Sequence, residues 1–394
     1  MRAGGRPQSA SLDSKLRKTP QPRPLVDSHI CLRKHSPPLL TVEVVDGFGP
    51  LADEWQDLAE RAQAAPFLYP GWVRAWRAAF GVGDLRLFTA RRSGRLVGLV
   101  PMQLRRGALR STTNAHTPEF ELLALDEETA DALASAVFAE SAREVAVGPL
   151  DVDGRGLRAL RAAAHASGYR TMLRPAVRAP YLRLASDVSA HEHSLSRNLR
   201  HDVQRRLRRL CEAGVVSVQV ADGSDQLEEL LAQGLHVEQL SWKGRQGTAI
   251  ASREQTSRFY RELARWAVST GSLRLAFLRL DGRPIAFQFD LETAGTYYSL
   301  KIGYDPEYER FSPGKLLAYT MVSRAVARGL AVYELLGTDE PWKYRWTDDV
   351  RERVVLRAFS RSAAGRVASS TFLYGRPLVR RIPLAARVAA ALRR

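Results

Sequence analysis

The sequence predicts an α/β chain of two tandem lobes, each a mixed, mainly antiparallel sheet flanked by helices. Three observations predict it. One order of elements (strand, two helices, antiparallel strands, helix, strand, helix, strand) can be read twice along the chain. The turn signals Ser93-Gly94 and Asp281-Gly282 stand at matching places in the two runs, each between apolar segments of strand length. And 394 residues, 45% of them hydrophobic, suffice for two cores.

In the first run, TVEVV (Thr41–Val45) alternates as a strand. A helix spans Pro50 to about Arg61. PGWVRAWRAAF is a second helix, with Pro70 at its start and Trp72, Val73, Trp76 and Phe80 at helical spacing. Strands follow at Leu85–Arg91 and Arg95–Leu104, with a weaker one at Phe120–Ala124. A helix at Glu127–Glu140, the strand REVAVGPL, a helix at Gly156–Ser167 and the strand YRTMLRP complete the lobe. In the second run, Val215–Val220 is a strand, and Asp225–Leu240 and Arg253–Ser269 are helices. LRLAFLRL, RPIAFQFDLE and GTYYSLKIGYD are three antiparallel strands. Ser312–Gly329 is a helix with Ser312 as N-cap, Pro313 in its first position and Gly329 as terminator. AVYELLG is a strand, Asp339–Arg345 a short helix, and RERVVLRAFS the last strand. The expected boundaries are a disordered basic tail at 1–38, a first lobe at 39–184, a linking basic helix at 185–213, a second lobe at 214–362 and a basic amphipathic tail at 363–394. In the linking helix, Leu195, Leu199, Val203, Leu207 and Leu210 form an apolar stripe, and six arginines between Arg197 and Arg209 occupy the other faces.

The net charge of +17 raises the question of nucleic acid. The tails 1–38 and 361–394 carry +6 and +8 of it, leaving +3 for the body between them. No nucleic-acid-binding module accompanies the charge, so no specific nucleic-acid partner is expected. Only seven of the 59 basic residues are Lys, and an arginine excess with abundant Ala fits a GC-rich genome. No apolar run reaches about 18 residues, the length of a membrane span, and the N-terminus lacks an apolar signal stretch. A cytoplasmic location is expected, peripheral to the inner face of the membrane if residues 361–394 make a weak contact with anionic lipid. Cys31 and Cys211 are too distant for a disulfide framework. His191-Glu192-His193 has no third ligand nearby, so no metal is expected. Ser312-Pro313-Gly314-Lys315 fits the S-x-x-K acylation motif but lacks its companion segments.

Five segments carry a family resemblance: RNLRHDVQRRLRRLCEAG, LSWKGRQGTAI, FLRLDGRPIAFQF, YYSLKIGYDPEYERFSPGKLL and ELLGTDEPWKYRW, together spanning 197–346. In order and spacing they resemble the CelD-like acetyltransferases, a branch of the GNAT superfamily tied to cellulose and envelope polysaccharide synthesis. More distantly they are similar to FemX-type peptidyltransferases, which carry two GNAT lobes. The doubled element order is that of a GNAT acyltransferase. In the first lobe, FLYPGWVRAWRAAFG and RLVGLVPM also fit.

The resemblance implies an acyltransferase that uses acetyl-CoA or another acyl-CoA as co-substrate, with a small-molecule or glycan-precursor acceptor. Phe311, Ser312, Pro313, Gly314 and Lys315 stand where GNAT enzymes hold the cofactor pyrophosphate. A helix N-terminus suits that task because its first N–H groups are unpaired and its dipole is positive, although this segment is poorer in Gly and Gln than the usual loop. Past the fifth strand of the lobe, Asp339 or Glu340 could act as base and Lys343 or Tyr344 as donor, while Asp339 could equally cap the short helix. Asp305 ends the central strand near the same place, to touch substrate or to cap the turn at Pro306. Trp242, Lys243 and Tyr298 are placed at the acceptor site. His236 and Glu238, two apart on one helix, are not expected to act together. The first lobe reads ALDEE before its helix, where acidic residues repel a pyrophosphate, so it is expected to be structural or to help bind acceptor. Two alternatives stand beside this reading: a FemX-like transferase fed by aminoacyl-tRNA, and a membrane-peripheral scaffold without catalysis.

Overall fold

The structure is a computed structural model and describes residues 39–375. The N-terminal tail with Cys31, and the basic stretch from residue 376 onward, lie outside the described residues. The first half runs β1 (Leu40–Val45), α1 (Leu51–Arg61), α2 (Pro70–Phe80), β2 (Asp84–Arg92), β3 (Arg95–Arg105), β4 (Ala108–Ser111), β5 (Leu123–Ala124), α3 (Glu127–Ala139), β6 (Glu144–Asp151), α4 (Arg155–Ala166) and β7 (Arg170–Arg183). Two helices, α5 (Val188–Ser194) and α6 (Arg197–Ala213), lead to the second half: β8 (Val216–Ala221), α7 (Leu227–Leu240), α8 (Trp242–Arg245), α9 (Glu254–Ser269), β9 (Leu273–Leu280), β10 (Arg283–Thr293), β11 (Thr296–Tyr304), α10 (Pro313–Ala327), β12 (Val332–Glu334), β13 (Val350–Phe359) and α11 (Ala363–Ser370).

The two-residue hairpins form where the sequence places them. Ser93 and Gly94 have φ of 51° and 79°, and Asp281 and Gly282 have 49° and 80°. Two left-handed residues in succession give the turn whose twist matches the flanking strands. The expected third strand of the first lobe differs: it is β4, entered through another left-handed pair, Arg106 and Gly107. The segment 112–122 is irregular, and only Leu123–Ala124 of the expected Phe120–Ala124 strand pairs. The expected helix at Asp339–Arg345 is only a 3-10 turn at Lys343–Arg345.

The larger difference is in the sheet. All thirteen described strands form one sheet, in the order β1-β2-β3-β4-β6-β13-β7-β12-β11-β10-β9-β8, with β5 on β3. Only β4–β6 and β11–β12 are parallel pairs. The last strand, β13, does not close the second half. It lies between β6 and β7, antiparallel to both. In turn β7 outruns its half: it pairs with β13 from Arg170 to Pro180, then with β12 through Tyr181–Arg183. Pro175 would end a regular strand, but it sits at a register shift against β13 where Ala176 is extra, a position that tolerates proline.

Three apolar clusters fill the interior. One surrounds β2, β3, β6, α3 and α4 of the first half. The second joins Trp72 and Trp76 of α2 to Phe259 and Leu263 of α9 and to β9–β11, so a first-half helix packs in a second-half core. The third holds α10 and the stripe of α6 against β10 and β12. Leu195, Leu199, Val203 and Leu210 are buried there, while Leu207 is exposed.

Candidate active site

The parallel pair β11–β12 is only three residues long: Thr296–Val332, Tyr297–Tyr333 and Tyr298–Glu334. Past Glu334 the chain turns away through two left-handed residues, Leu336 and Gly337. Strand β11 runs on to Tyr304, held from its other side by β10, with Leu300 as an extra residue between the Ser299–Asp290 and Lys301–Phe289 pairs. Bulges of this kind turn side chains and free ladder groups. A gap therefore opens along β11 beyond Tyr298, with backbone groups on its edge.

Charged side chains collect at that gap. Lys243, at the start of α8, donates its ammonium to the carbonyl of Ile302 at 2.5 Å. Its ion-pair partner is Glu238 of α7, with Oε1 3.8 Å away. Glu238 is wholly buried; its Oε2 accepts the Ile250 N–H at 2.7 Å, and its Oε1 has no hydrogen-bond partner. Burial pulls Lys243 down to about 8, although Glu238 and Glu340 favour its charged form. Burial also lowers Lys301, whose ammonium lies 5.4 Å from the centre of the Tyr260 ring. Gly303 of β11 passes so close to α7 that a Cβ would stand 2.6 Å from the Cα of Glu238. Gly303→Ala is therefore expected to force strand and helix apart, costing roughly 1–3 kcal/mol by overpacking; a thermal melt checks it, and an unchanged melting point would mean the contact is loose.

The opposite bank is built on Lys343. Its buried ammonium donates to the carbonyls of Leu336 at 2.5 Å and Thr338 at 2.6 Å and forms an ion pair with Glu340. Burial lowers this lysine too. Lys343 thus pins the turn that carries Asp339 and Glu340. Asp339 caps no helix; it is exposed and lies 3.5 Å from Arg178 of β7. Trp242 at the start of α8, and Trp342 and Tyr344 in the segment after β12, are exposed aromatics. Asp305 stands apart: it is buried, accepts Arg283 at 2.7 Å and the Glu307 N–H at 3.1 Å, and so closes the turn after β11.

The floor comes partly from the first half. Tyr298 is buried edge-on to Phe67 at 5.6 Å, and burial raises its hydroxyl pKa. Beside it, Glu334 pairs with Arg351 of β13 at 3.1 Å, and Arg353 with Glu119. The 112–122 segment also inserts His116 between Phe80, at 5.4 Å, and Tyr260, at 5.7 Å. Burial, with Lys301 and Arg253 nearby, takes His116 down to about 4, so it is neutral there at pH 7.

The expected phosphate-binding segment is formed differently from an open cradle. Ser312 is left-handed, with φ of 51°, and its side chain makes no cap. Phe311 is buried in the core. Pro313 supplies no N–H. Gly314 faces the protein: a Cβ would lie 3.3 Å from the Tyr304 ring. Lys315 donates to Asp202 of α6 at 2.7 Å. Asp202 also accepts Arg205 and Arg206; burial raises its pKa, but hydrogen bonds from Lys315 and Arg206 hold it well below the usual carboxylate range. Arg206 also donates to the carbonyl of Arg310. Three cations thus surround one carboxylate at the start of α10.

The first half has no such arrangement. Across its parallel pair, Ser111 and Thr113 both donate to the Gly148 carbonyl, at 3.0 and 2.7 Å, and tie the strands together. At the start of α3, Asp126 caps Thr129 and is held at about 2 by its hydrogen bond from Arg92.

Residues 197–344 match the family described as Acetyltransferase (GNAT) domain. The second half carries a GNAT acetyltransferase domain. A domain of this kind supports a transferase enzyme, and the splayed β11–β12 pair lies within the matched residues. Among solved structures the chain is similar to FemX (TM-score 0.58, 13% identity, covering 84% of this chain and 99% of that one). It is also similar to the C-terminal domain of a putative lysylphosphatidylglycerol synthetase from Agrobacterium fabrum (0.51, 14%, 81% and 95%). A third is a conserved protein of unknown function from Bacteroides thetaiotaomicron (0.50, 13%, 81% and 100%). At these identities the likeness is one of fold, and it extends over both halves. No curated protein matches the sequence. Among the described residues no helix is long and apolar enough to cross a membrane, and no three His, Cys, Asp or Glu side chains converge as a metal site.

Sequence reasoning set Glu238 aside and missed Lys301, His116, Glu119, Glu334, Arg351 and Arg353. One signal was available for Lys301. Lysine is scarce here, yet four of the seven lysines (Lys243, Lys301, Lys315 and Lys343) fall between residues 243 and 343. Arginine cannot give up its proton in a protein, whereas a buried lysine can.

Proposed function

We propose that the protein transfers an acyl group from an acyl-CoA to an amine or hydroxyl of a small acceptor, a sugar or an envelope precursor, in the gap between β11 and β12. The observation that carries this reading is Lys243, a half-buried lysine shifted to about 8 and bonded to the splayed edge of β11. In this scheme the acceptor N–H or O–H attacks the thioester carbonyl. The new C–N or C–O bond forms as the C–S bond breaks, neutral Lys243 takes the acceptor's proton, and the thiolate leaves. Glu238 sets the position and charge of Lys243, and Lys301 faces the negative charge that develops on the carbonyl oxygen. Cys211 is exposed on α6, outside this cluster, which favours direct transfer without a covalent enzyme intermediate. The CelD-like resemblance supports the choice of acceptor.

The donor's phosphates fit the cations around the start of α10, with Arg310 and Lys315 nearest the helix end. A second reading has one specific support: Asn198, His201, Arg205 and Arg208 of α6 line an adjoining cleft of about 600 Å³ that would suit the backbone of an aminoacyl-tRNA. Thermal melts separate the two. Acetyl-CoA at about 100 times its dissociation constant should add roughly 2.7 kcal/mol, a shift of several degrees. Lys315→Met should reduce that shift while Arg205 and Arg206 still satisfy Asp202. Gly314→Glu is a poor probe, because the position is buried against Tyr304. No shift with acetyl-CoA but one with charged tRNA would transfer the case to the second reading.

A further inference from the structure

A second cleft lies in the first half, on the parallel pair β4–β6, which is the counterpart in chain order of β11–β12. It measures about 460 Å³. Its walls carry Arg105 and Arg106 from the β3–β4 turn, Arg110 from β4 and Arg143 from the approach to β6. Its floor is small: Ala108, Ala146 and Gly148 leave the sheet open to a ligand. None of its lining residues is acidic. The nearest carboxylate, Glu144, is buried and already shared between Arg110, at 3.3 Å, and Arg357.

Four arginines around one opening repel one another, and the protein supplies one shared carboxylate against them. A general arginine excess does not account for this, since the body between the tails carries only +3. Arginine presents a planar fork of donors that matches phosphate oxygens two at a time. Arg105, Arg106 and Arg143 are exposed, so their donors are accessible. Besides the guanidinium groups, the cleft is lined by Ser111, Thr113 and Gln103, which can add hydrogen bonds to phosphate oxygens.

We propose that this cleft is a binding site for a phosphate-bearing ligand, engaging a diphosphate or phosphodiester group through Arg105, Arg106, Arg110 and Arg143. It is separate from the cations at α10 and does not rest on the acyl-CoA reading. The phosphate could belong to a soluble phosphorylated molecule or to a lipid headgroup, and the two are separated by the probe.

The test uses the full chain at fixed ionic strength, with inorganic pyrophosphate titrated by calorimetry and, in a second arm, vesicles containing phosphatidylglycerol in a co-sedimentation assay. Pyrophosphate is expected to bind, and the double variant Arg105→Ala/Arg143→Ala to weaken it at least about tenfold, since each lost charge-assisted pair is worth that much. Both side chains are exposed, so the variant should fold, which its circular dichroism checks. Arg161→Ala, an exposed arginine on α4, should change nothing. Vesicle binding that falls in the double variant, without pyrophosphate binding, assigns the cleft to a headgroup. Pyrophosphate binding equal in the wild type and the double variant would place the anion elsewhere and overturn the proposal, as would the absence of both pyrophosphate and vesicle binding.

Discussion

Replacing Lys243 by methionine is expected to lower kcat by roughly 10²–10⁴, the range lost with a general base, while the donor's KM changes little. The wild-type rate should rise with pH through an apparent pKa of about 8, because only the neutral amine can take a proton. Lys243→Arg distinguishes a base from a mere cation: it keeps the charge, cannot deprotonate, and should be as slow as the methionine variant. Glu238 favours the protonated form, so Glu238→Gln should move the limb to lower pH. Stability carries a matching sign. Between about pH 8 and the unfolded value of 10.5, the unfolded chain binds more protons at this lysine than the folded one. Stability should therefore rise with pH across that window in the wild type and lose this rise in Lys243→Met. A pH–rate profile unchanged in Lys243→Arg would remove Lys243 from proton transfer and leave it as a strut under Ile302.

The other large effect concerns β13. A chain ending at residue 349 is expected to be insoluble or grossly unfolded. Without Val350–Phe359, β6 and β7 lose the strand between them, and two open edges face solvent in the middle of the sheet. Leu356 and Ala358 would also leave the first core. For the same reason the first half expressed alone, residues 39–184, should aggregate, and co-expression with a segment containing residues 350–359 should restore soluble, folded protein by size exclusion and circular dichroism. Within the intact chain, Leu356→Ala should cost about 2–5 kcal/mol as a cavity in a closed core. A stable, monomeric 39–184 fragment would show that the β6–β7 edges can close without β13.

Much of the fold is legible in the sequence because its causes are local. The apolar spacing of α2, the proline and glycine that bound α10, and the left-handed pairs at Ser93-Gly94 and Asp281-Gly282 each act within a few residues of themselves. The site was less legible. Lys243 could be picked out, but Glu238 was set aside because His236 lies on another face of the same helix, whereas its actual partner comes from the next helix, beyond the turn at Ser241. Lys343 read as a possible donor to substrate, and its protons go instead to its own loop.

By itself the sequence determined the kind and order of nearly every element, the doubled pattern, and the stretch where a GNAT domain lies. Only the tertiary structure decided which strand pairs with which, and hence that the two halves share one sheet through β7 and β13. The physical reason is that alternation of apolar and polar residues specifies which face of a strand is buried and says nothing about the partner at its edges. The same holds for the charged cluster. Burial and the approach of Glu238, Ile302 and Glu340 from separate elements set the charge state of Lys243, and no spacing along the chain encodes such a meeting.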